Sequence, residues 1–429
     1  MEKIIIAGAG CGAFTCSFLL ARAGYDVTVY EKSAQDQLGP DWYDQVFLSD
    51  FTKAGLQAPP QEELLPPTDC LLHSPSGLGS LRLPRKANRD SVSVNQRFLK
   101  AFLTSQCKAA GVKFCFDTEC LEPIVDRRRV TGLKVRQQGK SLSVLCDLLI
   151  DCCGASSPIK AKLPNYLGVA KDSPEEPVFH VHCISYQFAS VEPFSGREVF
   201  VYPNGTPVIL QAVVHGKRLD CFIGSFKPLT QEMIQDVFPI LQKKYPGLSQ
   251  DKNHNKSSFV LPLGTPQTMF LAEGYTAVGD SVGMANPLTG SGSSNAMQAG
   301  TVLAQVILSV GKAPLTKQSL WPYEQQIFHS FLKNVPIQSA LFQVLQSLDY
   351  LDFNLLLDNA CFDFTSTNPL ADGLPASLRR KLPALRLLLY KSKPELKTVA
   401  EKIVKSQIAA AVLPKEYNML RISLWQVLY

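Results

Sequence analysis

The sequence begins with Lys3-Ile-Ile-Ile-Ala-Gly-Ala-Gly-Cys-Gly-Ala13 and, after an apolar stretch, continues with Asp26-Val-Thr-Val-Tyr-Glu31. Residues 4–7 are an apolar run that ends at a glycine, which predicts a buried parallel strand. The residues between the two quoted stretches predict an apolar helix, and the second stretch predicts another strand. The order of strand, glycine-rich turn, helix and strand is typical of a βαβ unit.

The glycine-rich turn, Gly8-Ala-Gly-Cys-Gly-Ala13, fits the pattern G-x-G-x-x-[G/A]. Gly8 permits a tight turn, Gly10 leaves room for the backbone to approach a pyrophosphate, and Ala13 is small enough for helix and strand to pack closely. Phosphates would lie at the helix N-terminus, where unpaired N–H groups and the helix dipole favour negative charge. Glu31, about 20 residues further on, can accept a hydrogen bond from a ribose hydroxyl. The whole pattern predicts a dinucleotide site rather than a bare glycine-rich turn.

A second glycine-rich stretch follows Tyr275-Thr-Ala-Val-Gly-Asp280, a short strand pattern that ends in an acid. A carboxylate at the end of a strand can accept hydrogen bonds from ribose or ribityl hydroxyls. Asn286-Pro-Leu-Thr-Gly-Ser-Gly292 then predicts a turn before a long helix over residues 293–311, which gives a second N-terminus suited to an anion. Combined with the first motif, this stretch favours nucleotide binding over an ordinary strand, turn and helix.

Composition narrows the class of protein. A chain of 429 residues is too long for one small core, so two joined domains are expected. A hydrophobic content of 45% with 19% charged residues is typical of an ordered globular protein. The net charge of +6 is modest and its basic clusters are short, which argues against a nucleic-acid partner and leaves peripheral contact with an anionic membrane open.

The cysteines and the chain start bear on location. The chain has 12 cysteines, many within helix or strand patterns, and neither a CxxC pair nor histidine spacing suited to a metal. Reduced thiols in a cytoplasmic protein are therefore expected, with membrane association left open. The first residues enter a strand at once, unlike a signal peptide, and no apolar window reaches ~18 residues, so no membrane span is expected.

At these motifs the chain resembles the flavoprotein monooxygenase and geranylgeranyl reductase superfamily, which shares the glutathione-reductase-like FAD fold. The resemblance covers roughly residues 1–330, through both glycine-rich motifs and the strand pattern that ends at Gly154. It implies an α/β fold in which a Rossmann FAD-binding domain carries a substrate domain of α+β character, built on an antiparallel sheet. A helical C-terminal region would follow.

The expected domain boundaries follow the pattern along the chain. Residues 1–174 would form the first part of the FAD-binding domain, with an excursion of the substrate domain near 41–95. Residues 175–265, rich in strand patterns, would form the substrate domain. Residues 266–330 would return to the FAD-binding domain, and 331–429 would be the helical region.

The resemblance also implies which residues bind FAD. The first turn would hold the pyrophosphate, Glu31 the adenosine ribose, backbone near Cys120 the adenine, and Arg97 the phosphate charge. Asp280 would bind the ribityl and diphosphate region, while the second turn would pass beneath the flavin ring. The residues expected to contact the cofactor are Gly8, Gly10, Cys11, Gly12, Ala13, Glu31, Lys32, Arg97, Cys120, Gly154, Gly279, Asp280, Pro287, Gly290, Ser291 and Gly292.

Among the branches of this superfamily, the prenyl reductases are the most similar. Glu198-Val-Phe-Val-Tyr-Pro203 stands where that family has an aromatic substrate signature, which implies substrate contacts for Phe200 and Tyr202. His180 and His182, alternate residues of one predicted strand, would line the substrate side of the same sheet, with a structural role as the alternative. The expected substrate is small, apolar and isoprenoid-like.

The cysteine-glycine pair of the prenyl reductases is missing, and Asp41-Trp42-Tyr43-Asp44 occupies its region. Asp41, Trp42 and Asp44 are therefore the candidates for catalysis, with loop capping as the alternative for the two acids. Three functions stay open: an FAD-dependent reductase of C=C bonds, a hydroxylase that uses NAD(P)H and dioxygen, and a non-catalytic FAD-binding protein. Because no separate NAD(P)H fingerprint is present, a nicotinamide or another reductant would bind transiently.

Overall fold

A computed structural model describes residues 2–83, 90–171, 178–190, 196–262, 268–287, 290–358, 393–418, 421–422 and 425. The strands are β1 (Lys3–Ala7), β2 (Asp26–Tyr30), β3 (Tyr43–Phe47), β4 (Leu64–Leu65), β5 (Cys70–His73), β6 (Ser80–Leu83), β7 (Ser91–Asn95), β8 (Lys113–Cys115), β9 (Thr118–Asp126), β10 (Arg129–Gln137), β11 (Lys140–Leu145), β12 (Leu148–Asp151), β13 (Val178–Phe188), β14 (Gly196–Val201), β15 (Ile209–His215), β16 (Arg218–Ser225), β17 (Leu248–Pro262) and β18 (Tyr275–Ala277). The helices are α1 (Cys11–Arg22), α2 (Leu48–Lys53), α3 (Gln96–Ala109), α4 (Pro158–Lys162), α5 (Gln231–Gln235), α6 (Val237–Lys244), α7 (Ser293–Val310), α8 (Lys317–Ser330), α9 (Val335–Gln346), α10 (Tyr350–Asp358) and α11 (Lys393–Val412).

A parallel sheet with strand order β18-β12-β1-β2-β8 forms the centre of the nucleotide-binding part. Its middle strand β1 has Ile4, Ile5 and Ile6 with no exposed surface, as expected for a parallel sheet that is covered on both faces. Since parallel strands end at the same edge, Gly8, Glu31, Gly154 and Gly279 all follow strands at that one edge. Ligands of open α/β sheets bind at this edge.

Helices α1 and α7 pack against each other across very small residues. A Cβ at Gly12 would lie 2.6 Å from the carbonyl oxygen of Ala296, and one at Gly300 would overlap the Gly12 carbonyl and the Thr15 hydroxyl. The Thr15 hydroxyl donates to the carbonyl of Met297 at 2.9 Å. Because Gly12 and Gly300 have no side chains, α1 can pack closely against α7, the helix that follows the second glycine-rich motif.

The second large sheet has the order β17-β13-β16-β15-β14-β5-β6 and is antiparallel except where β5 lies beside β14. One face packs Ile184 and Leu210 against the helix pair α5 and α6. The opposite face carries Cys183 and Phe222, which lie across from each other in the register, and Phe259 of β17. We call this opposite face the inner face.

Two further sheets complete the described part: β11-β10-β9 beside the nucleotide-binding sheet, and a small sheet β3-β7-β4 between α7 and the inner face. Residues 231–244 form two short helices, α5 and α6, with a break at Asp236. Pro239 explains the break, because it cannot donate to the carbonyl four residues earlier.

The C-terminal region contains α9, α10 and α11, and residues 359–392, including the apolar segment 382–390, lie outside the described residues. No helix among the described residues has the length and apolar composition needed to cross a membrane.

Candidate functional site

The first turn is held by its own strand ends. Gly8 has φ +87°, and a Cβ there would lie 2.5 Å from the carbonyl oxygen of Cys152, so glycine is required. The Glu31 carboxylate accepts the N–H groups of Ala9 at 2.8 Å and Ser33 at 2.9 Å. Each carboxylate oxygen keeps acceptor capacity for a ribose hydroxyl. The structure thus brings Glu31 to the glycine turn, as the sequence predicts.

The start of α3 faces this turn through Gln96, not through Arg97. Gln96 is buried, and its Oε1 lies 3.8 Å from the Cys11 Sγ. Among the described residues, Gln96 Nε2 is a buried donor with no hydrogen-bond partner. The Arg97 side chain is exposed, and its Nε lies 3.5 Å from the Gly39 carbonyl oxygen. One helical position therefore separates the predicted residue from the one that faces the turn.

The second motif forms a turn closed by backbone hydrogen bonds. The Gly290 N–H donates to the Asn286 carbonyl at 2.8 Å, and the Asn286 N–H donates to the Ser291 carbonyl at 2.9 Å. Gly290 has φ +69°. A Cβ at Gly292 would lie 3.2 Å from the Asp280 Oδ1, so the missing side chain leaves that carboxylate close to the start of α7. Leu288 and Thr289, in the middle of the predicted turn, lie outside the described residues.

The two motifs meet at a cluster of polar groups that are mostly half-buried. Burial raises the pKa of Asp280, the negative charge of Asp44 raises it further, and the positive charge of Lys100 lowers it. Burial likewise raises the pKa of the Cys11 thiol, against the opposing effects of Lys100 and a hydrogen bond from Ser293. Groups from α1, α3, β3 and the start of α7 are therefore within electrostatic range of one another.

These residues fit FAD. Helix α1 begins after Gly10 and α7 after Gly292, and no described side chain caps either N-terminus or places an acid in its first turn. Two uncapped N-termini, the Lys100 cation and the unpartnered Gln96 amide supply donors and positive potential for a diphosphate. The partly buried Asp280 carboxylate supplies an acceptor for hydroxyl groups.

The remaining predicted cofactor residues lie at the same sheet edge with different exposure. Lys32 is exposed and Ala13 is buried. Cys120 is buried on β9, with its Sγ 3.8 Å from the Tyr30 carbonyl oxygen. Gly154 has φ +81° with open space around the position of a Cβ. Their contacts with the cofactor stay predictions.

The three candidates for catalysis have different surroundings. Asp41 forms an ion pair with Arg218, whose Nη1 lies 3.1 Å from Oδ1, and accepts the Asn95 amide at 2.7 Å. Trp42 stacks on Phe259 and meets Phe222 edge to face. Asp44 alone reaches the cofactor turns, because its Oδ2 accepts the Ser293 hydroxyl at 2.7 Å.

Three of the four predicted substrate residues, His180, His182 and Phe200, lie on the face opposite to the inner face, whereas Tyr202 packs in a cluster with Val201. His182 stands opposite Ile223 in the register, and Phe200 stands opposite Leu210, so both share the face that packs on α6. His180 is two residues from His182 on β13 and therefore lies on the same face. Tyr202 contacts Phe353 of α10, with ring centroids 5.4 Å apart. The aromatic signature therefore stabilises the sheet and the C-terminal helices in this structure.

Sequence reasoning did not select Gln96 and Lys100 near the glycine turn or Phe222 and Phe259 on the inner face, which the structure adds as candidates. Gln96 and Lys100 are four residues apart on α3 and so lie on the same side of that helix, and this spacing was the signal that the sequence offered for them. Phe222 and Phe259 alternate with core residues, but which face of a strand meets the cofactor depends on how the two sheets pack.

Comparison with known proteins agrees with this geometry. Residues 1–235 match the family model described as an FAD binding domain. The digeranylgeranylglycerophospholipid reductase of Sulfolobus acidocaldarius is 21% identical over 71% of this chain and 69% of its own length, and that of Methanoculleus marisnigri is 22% identical over 75% and 78%.

Solved structures share the fold. A geranylgeranyl bacteriochlorophyll reductase-like protein from Thermoplasma acidophilum matches with a TM-score of 0.71 at 16% identity, over 92% of this chain and 100% of that one. The p-nitrophenol 4-monooxygenase PnpA of Pseudomonas putida DLL-E4 matches with a TM-score of 0.65 at 14% identity, over 93% and 99%. Since the family model covers more than half of the chain, the protein belongs to the FAD binding domain family and is an FAD-dependent oxidoreductase.

Proposed function

We propose that the protein reduces C=C bonds of an apolar, isoprenoid-like chain. The observation that carries this proposal is the position of Asp44, a partly buried acid bound to Ser293 at the end of the second glycine turn and two residues from Trp42 on the aromatic inner face. The names of the reductases to which the chain is similar support the same substrate class. FAD, when bound and reduced, supplies a hydride.

The inner face offers apolar surface beside the cofactor turns. The Trp42 ring lies 5.6 Å from Phe259 and 5.8 Å from Phe222, centroid to centroid. On β17, Leu261 approaches the second turn, since a Cβ at Gly290 would lie 3.2 Å from its Cδ1. Such surface binds a hydrocarbon chain by excluding water, which also protects a hydride transfer.

Asp44 is placed to supply the proton. Burial raises its pKa, although hydrogen bonds from the Ser293 hydroxyl and the Gln45 N–H oppose the shift. Asp44 and Asp280 are close enough to repel each other, since the negative charge of Asp44 raises the pKa of Asp280. In the proposed step one alkene carbon accepts the hydride and the other accepts the Asp44 proton, which leaves a saturated bond and the Asp44 carboxylate.

The proposal is tested with purified holoprotein, reduced without dioxygen and mixed with a geranylgeranyl lipid. We expect flavin reoxidation coupled to gain of two hydrogens per double bond, measured by absorbance and mass spectrometry. Asp44→Asn should lower the rate by about 100-fold, the usual contribution of a general acid, while FAD stays bound. Oxygen incorporation in air would instead identify a hydroxylase, and bound flavin that never turns over would identify a non-catalytic protein.

The electron donor and membrane contact stay proposals. We infer that a nicotinamide or another reductant binds transiently. Peripheral membrane contact is supported by Val404, Ile408 and Val412, exposed residues four apart on α11. Co-sedimentation with anionic vesicles, with and without Ile408→Ser, tests it.

A further inference from the structure

A cleft lies between the small sheet and the inner face of the large sheet. Leu65 and Ser93 line it from the small sheet, and Arg197, Val213 and His215 line it from the large one. Its volume of about 50 Å³ gives room for a group of a few non-hydrogen atoms, since one water needs only about 15 Å³ of such space.

The cleft contains a cation that forms no ion pair with any described residue. Arg197 lies on β14 opposite Val213 and is only partly exposed. No hydrogen bond or ion pair joins its guanidinium to any residue that the structure describes. A guanidinium that is partly removed from water without a partner leaves strong donors unused. This favours an anionic ligand at the site.

Other groups in the cleft suit the same ligand. The Thr68 and Ser93 side chains line it with hydroxyl donors. His215 is held in place, with its ring 4.4 Å from that of Tyr43 and its Nε2 3.4 Å from the Asp220 Oδ2. A planar guanidinium with adjacent hydroxyls matches the oxygens of a phosphoryl group.

The position of the cleft relates it to the proposed chemistry. The positive charge of Arg197 acts on Asp44 and lowers its pKa, so the two side chains are within electrostatic range. From Asp44 the segment that carries Trp42 runs along the inner face, over Phe222 and Phe259. Arg197, Val213 and Phe222 have the same orientation in the strand register, so the cleft and the aromatic rings lie on the same side of the large sheet.

We propose that this cleft binds the phosphoryl group at one end of the isoprenoid substrate and that Arg197 recognises it. The inference rests on the proposed reductase function, because it assigns the charged end of that same substrate. The phosphoryl group can belong to a free isoprenoid diphosphate or to a phospholipid headgroup, and both present the same oxygens to Arg197.

The test measures binding to the oxidised holoprotein, so that no turnover is needed. One arm compares geranylgeranyl diphosphate with geranylgeraniol, and the other compares a geranylgeranylated phosphoglycerol lipid with its neutral diether in detergent micelles. We expect the charged ligand to bind at least about tenfold more tightly in one arm or both, the scale of a charge-assisted hydrogen bond. The arm that shows the preference identifies the source of the phosphoryl group.

Arg197→Met should abolish that preference, and Arg197→Lys should retain part of it. Arg82→Met is the control, because Arg82 lies on the same sheet with an exposed side chain paired to Asp69. Equal binding of charged and neutral ligands by the wild type, or an unchanged preference in Arg197→Met, would overturn the proposal. If the wild type preferred the charged ligand through Arg197 but did not saturate C=C bonds, the assignment of the cleft would stand and only the proposed reductase function would be wrong.

Discussion

Lys100 is a single residue on which cofactor affinity should depend. Its charge acts on Cys11 and Asp280, which belong to the two different turns. Lys100→Ala should weaken FAD binding by about tenfold, or about 1.4 kcal/mol, the order of one charge-assisted hydrogen bond. Titration of apoprotein with FAD, followed by flavin fluorescence, measures this.

Arg97→Ala is the matched control, because Arg97 is a cation on the same helix whose side chain is exposed. We expect its FAD affinity to stay within about twofold of the wild type. The opposite ranking of the two variants would restore Arg97 to the position that the sequence predicts.

Glu324 on α8 makes stability depend on pH. It is 2% exposed, its Oε1 accepts the Met269 N–H at 2.6 Å, and its Oε2 has no partner among the described residues. Burial raises its pKa from 4.5 to about 7. Since the folded state binds the proton more tightly, the stabilising effect is complete below pH 4.5 and is lost as the pH rises through 7, by roughly 3 kcal/mol.

Urea unfolding at about pH 5 and about pH 8 checks this dependence. Glu324→Gln removes the titrating group, so its free energy of unfolding should fall less between the two pH values than that of the wild type. Equal slopes for the two proteins would show that Glu324 does not titrate in this range.

The sequence was sufficient for those site residues whose role is backbone conformation. Gly8 and Gly290 have positive φ in the structure, and Glu31 follows β2 where the pattern places it. It was insufficient for side chains whose role depends on direction. Gln96 and Arg97 are adjacent in the chain, yet a helix turns about 100° per residue, so only one of them faces the glycine turn.

Among the elements, the crossing of α1 and α7 sets the distance between the two turns. Gly300→Ala would place a methyl group against the Gly12 carbonyl and the Thr15 hydroxyl. Because both belong to a packed helix, the helices must separate, and we expect a loss of about 1–3 kcal/mol in the free energy of unfolding together with weaker FAD binding. Chemical denaturation and FAD titration measure the two effects.

Gly247→Ala is the control for this change, since a Cβ there would make an ordinary contact of 3.9 Å with Phe188. Its free energy of unfolding should stay within about 0.5 kcal/mol of the wild type. If Gly300→Ala were equally harmless, the crossing would have more freedom than its geometry indicates.

Elements with a strong apolar pattern were predicted closely, and polar ones were not. The strand over residues 26–30 and the start of α7 match the prediction, whereas β3 and much of β17 were not predicted as strands. Residues 249–258 of β17 are almost entirely polar, which resembles a loop. Among the described residues β17 lies at the edge of the sheet and pairs with β13 alone, and an edge strand tolerates such polar residues because they need not fit between two strands.

At the scale of the whole molecule, the packing of one sheet against the cofactor turns decides which residues can meet a substrate. Asp41 and Asp220 both bind Arg218, which joins the segment before β3 to the large sheet. This contact turns the inner face, with Phe222, towards α7. Because side chains alternate along each strand, Phe200 lies on the opposite face of the sheet, which packs on α6. There its ring stacks on that of His73, with centroids 4.6 Å apart.

The two phenylalanines should therefore respond differently to truncation. Phe222→Ala should raise the KM for the alkene by about fivefold or more, because it removes apolar surface beside Trp42, with a small effect on unfolding. Phe200→Ala should lower the free energy of unfolding by about 2 kcal/mol, because it opens a cavity against the core around α6, and should leave KM within about twofold. Steady-state kinetics and denaturation of both variants measure the split. If Phe200→Ala raised KM more than Phe222→Ala did, the substrate would bind on the side of the sheet that faces α6. The Phe200 side chain packs between the sheet and α6, so it can affect binding directly only if the substrate reaches that side.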